Sequence, residues 1–227
     1  MRQEGRVRMV APKSGKDHTD AMRRPHLTRL LLGGLALVAA LGLLLPRLDL
    51  TPGATELQNG LLLDTPRTLN DWPQPLRDQN GAPVQLADLQ GGYHLLFFGF
   101  ANCPDICPNT LLLASRVYRE LPEAVRAKLE VVLVSVDPER DSSEKLKGYV
   151  EGFHPDFTAL SGPHPALESL TGQAGIAYIK VPLDEGYTVD HSAALVLLDP
   201  QARIRAYFAP PIKVEALRAD LTTIVGG

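Results

Sequence analysis

The sequence predicts an α/β protein: a mixed sheet with helices on both faces, preceded by one N-terminal transmembrane helix. Three observations carry this expectation. Apolar strand-like runs alternate with amphipathic stretches of helical period through the C-terminal two thirds. Two cysteines, Cys103 and Cys107, fall between a buried strand and the start of a helix. A charge-free apolar stretch at 30–45 follows a basic N-terminal tail.

The apolar and charged contents, 44% and 22%, are ordinary for a globular chain, and 227 residues suit one domain with extensions. The net charge of -3 hides an asymmetry. Of 23 basic and 26 acidic residues, eight and three fall in 1–29, which leaves 15 and 23 for the rest, a net of -8. An acidic body argues against nucleic acid as a partner.

Residues 1–26 form the basic tail, read as cytoplasmic. Residues 27–46 are read as a signal-anchor helix. Sixteen residues without charge, extended by Leu27, Thr28 and Pro46, approach the ~20 that span a bilayer, and Arg29 can snorkel to the headgroups. Arg23, Arg24 and Arg29 precede the stretch and Asp49 follows it, so the positive side stays in the cytoplasm. The body is then exported, giving a single-pass protein of the inner membrane with its C-terminal domain in the periplasm. A cleaved signal peptide is the rival reading. The stretch is longer than the usual signal core and lacks a small-x-small site at its end. A buried core helix is a third, which the 26 preceding polar residues could not cover.

Residues 47–65 read as a linker, with Pro52, Gly53 and Gly60 and no clear period. Residues 66–227 are the folded domain. Asp78-Gln79-Asn80-Gly81 is a turn between two short extended pieces. YHLLFFGF at 93–100 suits a central strand buried on both faces. A helix is expected over 109–121, with Pro108 at its start. EVVLVSV at 130–136 is a second buried strand. An amphipathic helix over 142–153 places Leu146, Tyr149, Val150 and Phe153 on one side. A short helix at 165–174 follows, then strands at 177–181 and 193–198, a pairing strand at 204–208, and a closing helix at 214–225. A final hairpin beside a parallel core, with a cysteine loop after the first long strand, is a thioredoxin-like arrangement.

The cysteines are spaced C-x-x-x-C, one residue more than the redox C-x-x-C motif. Amides at a helix start favour the thiolate, so both thiols are expected to ionise more readily than free cysteine. A metal pair, a redox couple and a structural disulfide all fit this spacing. Among the histidines, His18 and His26 lie in the tail, while His154 and His164 precede prolines and read as solvated. His94 opens the central strand and reads as packing. His191, directly before the strand at 193–198, has the position to join the cysteines. Two thiolates and one imidazole form a soft set that suits Cu(I) and can hold Cu(II), whereas zinc normally takes four ligands or three plus water.

Taken together, these residues resemble the Sco/SenC family of copper-binding cytochrome c oxidase assembly proteins. The matching pieces are FANCPDICP at 100–108, VSVDPERD at 134–141 and VDHS at 189–192, and the resemblance runs from about 75 to 225. It implies a thioredoxin fold with copper bound by Cys103, Cys107 and His191. It further implies delivery of that copper to the dinuclear copper centre of cytochrome c oxidase subunit two or its assembly intermediates, after loading by an upstream copper donor. Asp137 is implied to lie near the site, adding charge there, docking a partner or capping a helix. Asp105, between the cysteines, would tune local charge. Ala101-Asn102 departs from the residues commoner at those positions.

Three functions therefore compete. A metallochaperone explains His191, which has no obvious work in a pure dithiol exchanger. A thiol-disulfide oxidoreductase would use Cys103 and Cys107 as its redox-active pair, and whether the protein is also such an enzyme stays open. A stabilising disulfide with no ligand is the third. A peroxidase is disfavoured, because no Thr-x-x-Cys pattern precedes the helix.

Overall fold

The computed structural model describes residues 57–227. The basic tail, the apolar stretch at 27–46 and the first part of the expected linker lie outside the described residues. Among the described residues, no helix is long and apolar enough to cross a membrane.

In chain order the elements are β1 (Gly60–Arg67), β2 (Leu76–Asp78), β3 (Pro83–Val84), a 3₁₀ turn (Leu86–Leu89), β4 (Tyr93–Gly99), α1 (Ile106–Glu120), α2 (Glu123–Arg126) and β5 (Leu129–Ser135). Then follow α3 (Ser143–Glu151), β6 (Thr158–Ser161), α4 (His164–Ala174), β7 (Tyr178–Pro182), β8 (Tyr187–His191), β9 (Leu195–Leu198), β10 (Ile204–Phe208) and α5 (Val214–Gly226). Eight strands form one mixed sheet in the order β1-β10-β9-β4-β5-β6-β2-β3. β4, β5 and β6 run parallel, β9 pairs antiparallel with β4, and β10 pairs antiparallel with β9. This is the thioredoxin-like arrangement expected from the sequence.

β4 is the middle of the core because its sequence leaves no polar face. Leu95, Leu96, Phe97 and Phe98 are each no more than 1% exposed. Such a run needs cover on both sides of the sheet, and β4 obtains its lateral partners from β5 in parallel and β9 in antiparallel register. α1 connects β4 to β5 by way of α2, and α3 connects β5 to β6. The consequence for function is positional: the loops that leave the C-terminal ends of β4 and β5 emerge side by side.

Several elements differ from the sequence expectation, which contained neither β6 nor β8. The end of the segment read as linker forms most of β1, which pairs with β10 from Gly60↔Phe208 onward. A Cβ on Gly60 would lie 2.5 Å from the Phe208 ring, so this glycine reflects a close approach, not a spacer. The buried Asp220 carboxylate on α5 accepts the backbone N–H groups of Gln58, Asn59 and Gly60 at 2.6, 2.8 and 3.1 Å, which ties the start of β1 to α5. In addition, β7 does not enter the main sheet. Among the described residues it pairs only with β8, as a separate two-stranded hairpin.

Candidate metal centre

β4 ends at Gly99, and the chain turns through Phe100 so that the Cys103 N–H donates to the Phe100 carbonyl at 3.2 Å. α1 begins at Ile106, with Asp105 at its N-cap. The helix therefore starts three residues before the expected 109 and takes Cys107 into its first turn. Pro108 is tolerated there because first-turn N–H groups have no partner within the helix. The orphan N–H of Cys107 donates instead to the Cys103 sulfur at 3.4 Å. Both cysteines are free thiols; Cys107 is fully buried and Cys103 half-buried.

Gly99 makes room for this turn. A Cβ there would lie 2.8 Å from the Cys107 sulfur. The sulfur thus packs against bare backbone at the end of β4.

His191 ends β8 and reaches back over the cysteine loop. Its Nε2 lies 3.2 Å from the Cys107 sulfur. Its Nδ1 lies 3.2 Å from the Ser192 carbonyl, which can only accept, so the assigned tautomer carries its proton on Nδ1 and turns the Nε2 lone pair toward the sulfurs. Phe97 and Phe100 meet the imidazole edge-on, each at a centroid distance of 5.9 Å. The two Sγ atoms and one imidazole nitrogen all lie within 4.8 Å of one another. Among the described residues, this is the one group of three or more His, Cys, Asp and Glu side chains so placed. A cavity of about 300 Å³ opens beside it, lined by Tyr178, Ile179, Asp190, His191 and Ser192.

Burial sets the protonation chemistry. Desolvation pushes the Cys107 thiol well above the usual range, against a smaller lowering by a backbone hydrogen bond at Phe100. This corrects the expectation that both thiols ionise easily: at Cys107, removal from water outweighs the helix-start amides. Burial also lowers His191 below its ordinary value and keeps it neutral, the form that donates a lone pair. A metal cation would reverse the penalty on the thiol by supplying the missing positive charge.

Asp137 and Asp105 are not ligand atoms of the cluster. Asp105 is exposed, and its carboxylate accepts the Asn109 side-chain amide at 2.6 Å. Asp137 is fully buried, and Ser142, not Asp137, caps α3. Its carboxylate accepts the Tyr187 phenol at 2.7 Å and the Arg140 Nε–H at 2.5 Å. That hydrogen bond is the first cause pushing the Tyr187 phenol up to about 12. Four residues here were not singled out as site residues from the sequence: Gly99, Arg140, Asp141 and Tyr187. Arg140 and Asp141 lie inside the quoted VSVDPERD motif, which was the available signal.

The remaining histidines fall as follows. His94 is 6% exposed and pairs with Glu130 at 3.2 Å, a packing role as expected. His164 is half-exposed and pairs with Glu139 at 2.8 Å. His154 is a correction: it is not solvated but sits against the rings of Tyr118 and Phe157, at 4.8 and 5.3 Å between centroids. His18 and His26 lie outside the described residues.

Comparison with known proteins gives a consistent result. The SCO1/SenC family model matches residues 67–226. A Stutzerimonas stutzeri protein, provisionally named as copper-binding, is 36% identical over 192 residues, covering 83% of this chain and 93% of that one. The solution structure of apo Sco1 from Thermus thermophilus is 34% identical and covers 76% of this chain and 99% of its own, with a TM-score of 0.65. Bradyrhizobium japonicum ScoI, solved with copper bound, is 34% identical and covers 69% and 99%, with a TM-score of 0.60.

Proposed function

This chain belongs to the SCO1/SenC family, and from that premise we propose that it is a membrane-anchored copper metallochaperone. Cys103, Cys107 and His191 hold one copper ion. The cargo passes to the dinuclear copper centre of cytochrome c oxidase subunit two, or to its assembly intermediates. Residues 27–46 anchor the chain in the inner membrane, residues 1–26 stay in the cytoplasm, and the folded domain works in the periplasm. The observation that carries the reading is the convergence of two sulfurs and one neutral imidazole within 4.8 Å.

The donor set fits this cargo. Two thiolates and an imidazole are soft ligands that satisfy Cu(I) in three-coordination and also hold Cu(II). Taking up copper displaces the thiol protons, so the raised Cys107 thiol is a cost that the copper–sulfur bonds must offset. Handover is then ligand exchange. A partner's thiolate or imidazole approaches on the side of the half-buried Cys103, forms a bond to copper, and displaces one ligand at a time, so the ion never enters bulk water.

Anaerobic copper titration of the reduced full chain in detergent tests the reading. It expects one equivalent and a thiolate-to-copper charge-transfer band, both abolished by Cys103→Ala or Cys107→Ala, with the affinity lowered at least tenfold by His191→Ala. Uptake that survives both cysteine substitutions contradicts it.

One observation favours a second activity, thiol-disulfide reduction of the same partner. Cys103 is the more exposed sulfur, and so the one that a partner disulfide can reach. It would attack a partner disulfide and form a mixed disulfide. Cys107 would then displace the partner thiol, leaving the partner reduced and Cys103–Cys107 oxidised.

A further inference from the structure

His191 rides on a hairpin that no ladder joins to the main sheet. Something else must hold its imidazole over the sulfurs. The segment 137–141, which follows β5, touches both halves of the site. On the cysteine side, the buried Asp141 carboxylate accepts the Ala101 N–H at 2.9 Å, two residues before Cys103. The same carboxylate is steadied by the Ser135 hydroxyl at 2.8 Å and the Lys145 ammonium at 3.0 Å.

On the histidine side, Asp137 accepts the Tyr187 phenol at the start of β8, four residues before His191. Arg140 completes this contact in two ways. Its Nη1 donates to the Tyr187 carbonyl at 2.8 Å, and its guanidinium lies 3.8 Å from the Tyr187 ring centroid. The guanidinium also lies 5.7 Å from the Phe100 ring, which is itself edge-on to His191. Glu139 adds an outer contact to Lys180 on β7.

We propose that Asp137, Arg140 and Tyr187 form a latch that positions His191 over the sulfurs, and that opening it is the step that frees the imidazole during copper handover. The proposal rests on the copper reading above. The physical logic is asymmetric holding. The cysteine half is fixed by helix and sheet, whereas the histidine half is held by the polar contacts of this segment and by side-chain packing of Val189, Tyr178 and Tyr187. A hairpin outside the ladder of the main sheet opens at a lower cost than the central strands β4 and β5. Losing the imidazole first leaves copper on two sulfurs with an open position for the incoming ligand.

Tyr187→Phe isolates the hydrogen bond, because it keeps the ring against Arg140. Arg140→Lys keeps the charge beside Asp137 but removes the fork. Two measurements on the full chain in detergent decide. In the metal-free reduced protein, amide hydrogen exchange is followed in the β7–β8 ladder against the β4–β5 ladder. In the copper-loaded protein, loss of copper to a chromophoric chelator is timed. Both variants should exchange the hairpin amides about tenfold faster and release copper about tenfold faster, with β4–β5 unchanged. Hairpin exchange at the wild-type rate, or faster exchange with unaltered copper release, overturns the proposal. If the wild-type chain takes up no copper, the copper reading fails with the handover step, and the exchange data alone decide whether the latch holds the hairpin.

Discussion

Gly99 and Cys107 occupy the same small volume: a Cβ on the glycine would lie 2.8 Å from the cysteine sulfur. The end of the central strand and the first turn of α1 can meet this closely only because one of them lacks a side chain. The sulfur's position, and so its 3.2 Å approach to His191 Nε2, depends on that absence.

Gly99→Ala should therefore displace the Cys107 sulfur without changing any ligand. Overpacking of this kind costs about 1–3 kcal/mol. The expected outcome is a lowered thermal midpoint together with weaker copper uptake, read by calorimetry and chelator competition. Wild-type copper affinity in a folded Gly99→Ala protein would show that the sulfur has more freedom than this packing allows.

His191→Ala should separate the two chemistries of the site. Copper affinity should fall by at least tenfold, while the equilibrium of the Cys103–Cys107 pair with dithiothreitol stays close to wild type. Parallel loss of both would mean that the imidazole is needed for thiol exchange as well.

Asp220→Ala tests the anchoring of the fold's first strand. The carboxylate is 2% exposed and receives three backbone N–H groups, which lose their acceptor together. Hydrogen bonds to a charged group are worth about 1.5–3 kcal/mol, so denaturant unfolding should show a loss of about 3 kcal/mol. Copper stoichiometry should remain at one.

The acid limb of stability should carry a contribution from Glu139. Hydrogen bonds from Lys180 and His164 hold its carboxyl at about 2, below the ordinary 4.5. A depressed folded-state value means stabilisation that is complete above about pH 4.5 and is lost as pH falls toward 2. Glu139→Gln should flatten stability across that window, and added salt should shrink the difference, because the group is 46% exposed. An unchanged acid limb in the variant would show that these surface contacts contribute nothing measurable.

The residues of the candidate metal centre were legible in the sequence because ligand chemistry constrains type and spacing together. Cys103, Cys107 and His191 were all readable in this way, and the structure gathers the three. The buried strands β4 and β5 were legible from their unbroken apolar runs. Other parts were hidden for physical reasons. β1 has no alternating pattern, since it earns its place by close approach at Gly60 and by Asp220 far along the chain. β6 is only four residues long, too short to display a period. β8 carries a polar, mixed sequence because it belongs to a separate hairpin. The Cys107 thiol misled through burial, a tertiary quantity: the spacing gave its place at a helix start but not its depth. Tyr187 could not be paired with Asp137 from the sequence, because 50 residues separate them and only the fold brings them together.

Copper K-edge X-ray absorption on the reduced, copper-loaded full chain reads the donor set itself. The expected result is a shell of two sulfurs and one imidazole nitrogen for a single copper per chain, with the nitrogen lost in His191→Ala. A shell of oxygen and nitrogen donors without sulfur, or an unchanged spectrum in His191→Ala, would contradict it.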